Sequence, residues 1–210
     1  MQLNPADFNN LIADMGQTVR WRQSFACPCT NPHSGAAKPG CPICGGNGRG
    51  WGSPVDCDAG ITGQKTQREW AQSGLYESGD VVISLPSDSA IYAMGQFDRA
   101  ILVNTSERFS IVLTRGNNDT LRFPFLSVTR CFWLNSGGTA IVEGGIPTVS
   151  SAGVMTWATG EPADGAAYTV EGTRMNEYFC YGMFPSNRGI HHGEALPKKV
   201  ILRKFDLFGR

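Results

Sequence analysis

The sequence predicts a mainly β chain: a small β-barrel or sandwich with an N-terminal helix, an inserted zinc-binding loop and a C-terminal β-hairpin extension. Three observations predict it. Runs rich in β-branched and aromatic residues recur between turn residues from Gly79 onward. Glycine (26) and proline (12) are frequent while only 17% of residues are charged, which suits many short strands and surfaces covered by partners. Two close cysteine pairs lie in a segment too poor in apolar residues to fold by burial alone. At 210 residues the chain is expected to form one compact body with appendages. Its segments read as a helix over 1–20, a zinc-binding loop over 21–52, a β core over 53–143, and a second β unit with a C-terminal strand over 144–210.

Asn4 as N-cap and Pro5 at the first helical position open the helix, and Phe8, Leu11, Ile12, Met15 and Val19 share one face. The helix is expected to end near Thr18 to Arg20. A stripe at this spacing usually packs on its own domain; docking onto a neighbouring subunit is the sharper alternative.

The loop carries Cys27-Pro-Cys29, eleven residues, then Cys41-Pro-Ile-Cys44-Gly-Gly-Asn-Gly48. Cys27, Cys29, Cys41 and Cys44 can present four sulfurs tetrahedrally, and the glycines permit a tight turn whose N–H groups point at thiolates. Four thiolates make a closed, structural Zn²⁺ site, whereas a catalytic zinc keeps a position open for water. Disulfides are the alternative. The first residues show no basic segment followed by an apolar run, so a reducing compartment is expected. His33, in place of Cys29, and Cys57, in place of any one of the four, stand as alternative ligands. Cys131 and Cys180 fall in apolar strand-like runs and read as core residues.

Beyond the loop, Ile61 to Thr66 reads as a return strand. Asp80–Leu85, Phe97–Val103, Phe109–Thr114 and Leu126–Leu134 follow as strands, with Gly116-Asn-Asn-Asp119 as a hairpin turn. The stretch Leu85 to Gly95 reads as a long loop. After Gly144, Val154–Ala158 and Ala167–Glu171 form a hairpin across Gly160 to Gly165, and Glu177–Met183 adds a strand. The chain closes on Leu196 to Arg210, where Lys198, Lys199, Arg203 and Lys204 read as solvated residues guarding an edge.

Taken together, Cys27-Pro-Cys29, the Cys41 to Gly48 unit and Gly50-Trp51 resemble virion structural proteins of tailed bacteriophages. Leu85-Pro-Ser-Asp88 before Tyr92, Phe97-Asp-Arg99, Thr156-Trp157 with Pro162, Gly165 and Tyr168, and Leu196 to Leu207 are similar to the order of segments in head-to-tail connector proteins. The Trp157 to Tyr168 hairpin is also similar to modules of tail and baseplate proteins. The Cys41 to Gly48 unit alone matches J-domain chaperones as well, but the chain has one such unit and no His-Pro-Asp tripeptide. The resemblance implies a stopper, collar or head-completion protein in the virion neck, made in the host bacterial cytoplasm. It further implies a homo-oligomeric ring between the portal or adaptor side and the tail terminator or tube side, with genomic DNA passing through unread.

An enzyme is not expected. His191-His192-Gly-Glu194 lacks the spacing that sets two imidazoles on one helix face, and no Gly-x-Ser-x-Gly elbow, P-loop or dinucleotide fingerprint occurs. The runner-up is a nucleic-acid-binding zinc ribbon, with Lys38, Arg20, Arg22 and Arg49 near the loop and Trp21 and Trp51 for base stacking. A balance of 18 basic and 18 acidic residues argues against an extended phosphate-binding surface. No run is long and apolar enough to suggest a membrane span.

Overall fold

The computed structural model describes residues 4–61, 79–117, 119–183 and 189–207. In chain order these form helix α1 (Pro5–Met15) and strands β1 (Gln17–Arg22), β2 (Ser24–Ala26), β3 (Arg49–Trp51), β4 (Val55–Ile61), β5 (Val81–Leu85) and β6 (Arg99–Thr114). There follow β7 (Phe125–Leu134), β8 (Ile141–Glu143), β9 (Thr148–Val149), β10 (Met155–Thr156), β11 (Ala167–Met183), β12 (Ile190–His191), β13 (Glu194–Ala195) and β14 (Lys198–Lys204). The fold is mainly β, as the sequence predicts. Among the described residues no helix is long and apolar enough to cross a membrane.

The residues divide into two compact units, 1–103 with 177–210, and 104–176. This cuts across the sequence reading of segments 53–143 and 144–210. The reason is that β6 and β11 are each one long strand serving both units, where the sequence suggests two short strands apiece. The polar stretch Asn104 to Arg108 looks like a break but is held by β11: Arg174 Nε donates to Glu107 at 2.9 Å and Asn176 Nδ2 to Thr105 Oγ1 at 3.0 Å. Cross-strand polar pairs thus replace the apolar alternation that marks a strand.

In the first unit, β14, β5, β4, β1, β6 and β11 are hydrogen-bonded in that order, and β11 pairs with β14 to close a six-stranded barrel. Closure leaves no barrel edge to protect. The expected edge role of Lys198, Lys199, Arg203 and Lys204 is therefore corrected: β14 is paired on both sides, and its Val200, Ile201 and Leu202 are buried. Arg203 instead pairs with buried Asp80 at 3.0 Å. The interior is filled by Val19, Trp21, Ile83, Leu85, Leu102, Tyr178, Cys180, Val200 and Leu202 with their neighbours. Small barrels fill this way, leaving a packed core and no channel. The expected loop from Leu85 to Gly95 contributes to that core, since Ile91 and Met94 are fully buried.

Asn4 caps α1 as expected, its side chain accepting from the Ala6 N–H. The helix stops at Met15, earlier than expected, because Gly16 turns extended at ψ 164° and a Cβ there would meet the Ile12 carbonyl at 2.3 Å. Val19 consequently belongs to β1, where it and Trp21 alternate into the barrel. The helix packs through Asn9, bonded to Ser87, and Ile12 near Gly60. Phe8, Leu11 and Met15 remain exposed.

In the second unit, the distal parts of β6 and β11 lie in one sheet with β7 and β8, in the order β6, β11, β7, β8, over a core that includes Phe109, Leu113, Cys131, Met155, Tyr168 and Val170. The turn after β6 holds Gly116 at φ 74° and is tied by Asp119, which accepts from the Gly116 N–H. It does not make the expected hairpin, because β11 lies between β6 and β7. Val154 to Ala158 supplies β10, whose partner is β9. The expected strand residues 62–66 lie outside the described residues, Ile61 ending β4. A hairpin of β12 and β13 precedes the last strand.

Candidate metal centre

The loop between β2 and β3 begins and ends at one antiparallel pair, Ala26 opposite Arg49, continued by the Cys27 N–H donating to the Gly48 carbonyl at 2.8 Å. Past that point its backbone folds into tight turns. Thr30 N–H donates to Cys27 O, Gly45 N–H to Cys41 O, and Asn47 N–H to Cys44 O. Gly45, Gly46 and Gly48 take φ of 60°, 94° and 73°, conformations that side chains resist. The glycines after Cys44 therefore shape the turn, as the sequence suggests.

These turns gather Cys27, Cys29, Cys41 and Cys44 so that all four sulfurs lie within 4.8 Å of one another. Cys27 and Cys41 Sγ are 3.8 Å apart, and Cys29 and Cys44 Sγ 3.5 Å. A tetrahedral site with metal–sulfur bonds of about 2.3 Å has sulfur–sulfur edges of about 3.8 Å, so the spacing fits a divalent cation held by four thiolates. All seven cysteines are free thiols, so no disulfide competes for these four sulfurs. Cys27, Cys41 and Cys44 form a buried cluster with Cys29 against them. The centre of this loop is made of sulfur.

Backbone N–H groups face the sulfurs. Those of Cys44 and Ile43 lower the Cys41 thiol to about 6. At Cys44 burial raises the thiol, but N–H groups of Gly46 and Gly48 outweigh it and the net shift is downward. The Lys38 N–H lowers Cys29, yet desolvation and hydrogen bonds shared with Cys27, Cys44 and Cys41 lift it to about 12. Crowded thiols oppose one another's ionisation, and a cation among them would favour the thiolate at each.

Neither alternative ligand joins the cluster. His33 is exposed, its backbone N–H donating to the Asn31 side chain at 2.8 Å. Cys57 sits on β4 opposite Val19 and packs against the barrel core. Cys131 and Cys180 lie in the two apolar cores. Replacing Cys57 by Ser should therefore leave the metal content per chain unchanged. A drop in stoichiometry, measured by elemental analysis, would show that the ligand set is different.

Neither a protein-family model nor a curated protein sequence matches the chain.

Tryptophans that flank such a loop usually seal it against the host domain, and Trp21 and Trp51 do so here; sequence reasoning missed the partners that complete this clasp. Asp98, buried at 2% exposure, accepts from Trp21 Nε1 at 2.8 Å, from the Ser24 N–H at 2.7 Å and from the Gly95 N–H at 3.0 Å. Trp51 Nε1 donates to the Phe97 carbonyl at 3.1 Å, Arg49 lies 3.8 Å above the Phe97 ring, and Trp51 meets Phe205 edge to face. Phe97 adopts φ 70°, an uncommon conformation for a bulky residue that this set of contacts holds in place. Trp21 and Trp51, which flank the cysteines, were its signal in the sequence. Nothing in it names Asp98 as the common acceptor.

Both tryptophans are committed to this clasp. Trp21 is buried with its N–H satisfied, and Trp51 is half-buried against Phe205. Arg20 is engaged by Asp56 through two bonds of 2.8 and 2.9 Å. Trp21, Trp51, Arg49 and Arg20, four of the groups that would stack on bases or bind phosphate, are thus used to fasten the loop and the sheet.

Proposed function

We propose that this chain is a non-catalytic structural protein whose four cysteines hold one Zn²⁺ as a staple, and that it serves as a ring-forming component of the neck of a tailed phage. The observation that carries the structural reading is the closed sulfur cluster: four thiolates fill a tetrahedral shell and leave no position for a substrate. Zinc fits because it takes four thiolates at these spacings without a geometric preference of its own. The packed barrel supports the same reading, since its interior is occupied by side chains.

The phage assignment is supported by the resemblance of the cysteine unit and of the segments from Leu85 to Leu207 to connector proteins. Head-to-tail contacts between identical copies close into a ring when the rotation permits. In such a ring the stapled loop would present a rigid surface to a neighbouring component while DNA passes without base-specific contact.

Three measurements test the proposal. Purified protein should carry about one zinc per chain, as a closed site of four thiolates requires; a metal-free, fully folded chain would defeat the staple. Gold-labelled antibody against the protein should mark the head–tail junction of virions of a phage encoding it. Label at the baseplate, or none on the particle, would overturn the neck assignment, and tight, steeply salt-dependent binding of free duplex DNA would favour the zinc-ribbon reading.

A further inference from the structure

The four sulfurs of the centre are not equivalent. Cys27, Cys41 and Cys44 are 2%, 5% and 5% exposed, and Cys29 is the one ligand only partly buried. The backbone restrains them unequally as well. The N–H groups of Ile43 and Cys44 face Cys41, those of Gly46 and Gly48 face Cys44, and that of Lys38 faces Cys29. An N–H that stabilises a thiolate also lowers its nucleophilicity. Cys29 therefore offers a reagent the clearest approach, and it is less restrained than Cys41 or Cys44.

The close sulfur contacts run from one cysteine pair of the motif to the other. Cys44 Sγ lies 3.5 Å from Cys29 Sγ, and Cys41 Sγ lies 3.8 Å from Cys27 Sγ. A disulfide spans about 2.05 Å, so Cys29 and Cys44 are about 1.5 Å short of bonding distance. No thiol outside the centre competes. Cys131 and Cys180 are fully buried in the two cores, and Cys57 packs against the barrel interior.

We propose that Cys29 is a modification site for small-molecule disulfides of the glutathione type, and that Cys44 resolves the adduct, so that the metal staple is exchanged for a Cys29–Cys44 disulfide. The Cys29 thiolate attacks one sulfur of the oxidant, whose S–S bond breaks and releases one glutathione thiolate. The Cys44 thiolate then attacks Cys29 Sγ, breaking the mixed disulfide and expelling the second glutathione thiolate. Two electrons pass from the cysteine pair to the oxidant, and the released thiolates take protons from water. The two thiolates that remain, Cys27 and Cys41, are too few to retain the cation and are protonated in turn. The staple thereby changes from metal to a sulfur–sulfur bond when the surroundings turn oxidising. The inference rests on the zinc reading above and adds to it the reagent and the order in which the ligands react.

The test starts from zinc-loaded protein whose metal content is measured before any oxidant is added. Excess oxidised glutathione should release about one zinc per chain, read with a metal-binding dye, in step with a Cys29–Cys44 disulfide located by tandem mass spectrometry. Limiting iodoacetamide, which alkylates irreversibly and leaves no adduct to resolve, should mark Cys29 before any other cysteine. Cys57→Ser should release zinc at the wild-type rate, and dithiothreitol with added zinc should restore the metal. Alkylation first at Cys27, Cys41 or Cys44, or a first disulfide between another pair, overturns the assignment. So does a chain that keeps its zinc and its thiols in the oxidant, an outcome that leaves the staple standing. A chain without zinc at the outset defeats the staple and this inference with it, and the first measurement tells the two failures apart.

Discussion

Removal of the metal, by a strong chelator or by Cys44→Ser, is expected to unfold the loop between Cys27 and Gly48 and to leave the barrel standing. The loop has no apolar core to fall back on, because its buried cluster consists of cysteines. Zinc bound by a structural thiolate site supplies about 10–16 kcal/mol at neutral pH, and nothing else buried in this loop replaces it. Losing one thiolate should weaken metal binding by more than about a hundredfold. Amide hydrogen exchange gives the readout residue by residue. Thr30, Gly45 and Asn47, which donate within the loop, should lose protection, while the amides of β1 and β14 keep theirs. Coincident loss in loop and barrel would mean that the barrel needs the staple, and intact loop protection without metal would remove the staple altogether.

The second large effect is expected at Asp98. Alanine there strands three donors, Trp21 Nε1 and the N–H groups of Ser24 and Gly95, at a cost of about 3–5 kcal/mol in unfolding free energy. Asparagine separates the two jobs of this carboxylate. With its carbonyl oxygen in the Oδ2 position it still accepts from Trp21 and Gly95, but its NH2 then faces the Ser24 N–H. Asp98→Asn should therefore loosen the loop's attachment at β2 more than it destabilises the barrel. Denaturant titration followed by tryptophan fluorescence, beside exchange at Ser24, separates the two. If Asp98→Ala costs under about 1 kcal/mol, the clasp contributes little beyond a surface contact.

Local chemistry was legible where it is written in neighbouring residues. Asn4-Pro5 marks the helix start, the glycines after Cys44 mark the turn, and the cysteine spacing marks the cluster, because each depends on residues a few positions apart. What depends on distant partners was not. Val19 fits a helical stripe equally well, and only its pairing with Cys57 and Leu102 makes it a strand residue. The continuity of β6 was hidden for the same reason: Thr105 and Glu107 look like turn residues until Asn176 and Arg174 are seen opposite them. Ile91 and Met94 lie in a stretch punctuated like a surface loop, yet they complete the barrel core. The Asp98 clasp joins positions 74 and 77 apart in the chain, and no local pattern announces it.

The continuity of β6 and β11 has a kinetic meaning. These strands are neighbours in the barrel, yet residues 104–176 intervene between their barrel segments. Were that insertion a random chain, bringing its ends together would cost about 4 kcal/mol of loop-closure entropy before any barrel contact formed. Once folded, it delivers the two strands side by side as the legs of a hairpin, and the distance in sequence ceases to matter. Barrel closure is thereby coupled through the backbone to the order of the insertion, so that a substitution emptying the core around Cys131 and Tyr168 acts also as an entropic load on the barrel.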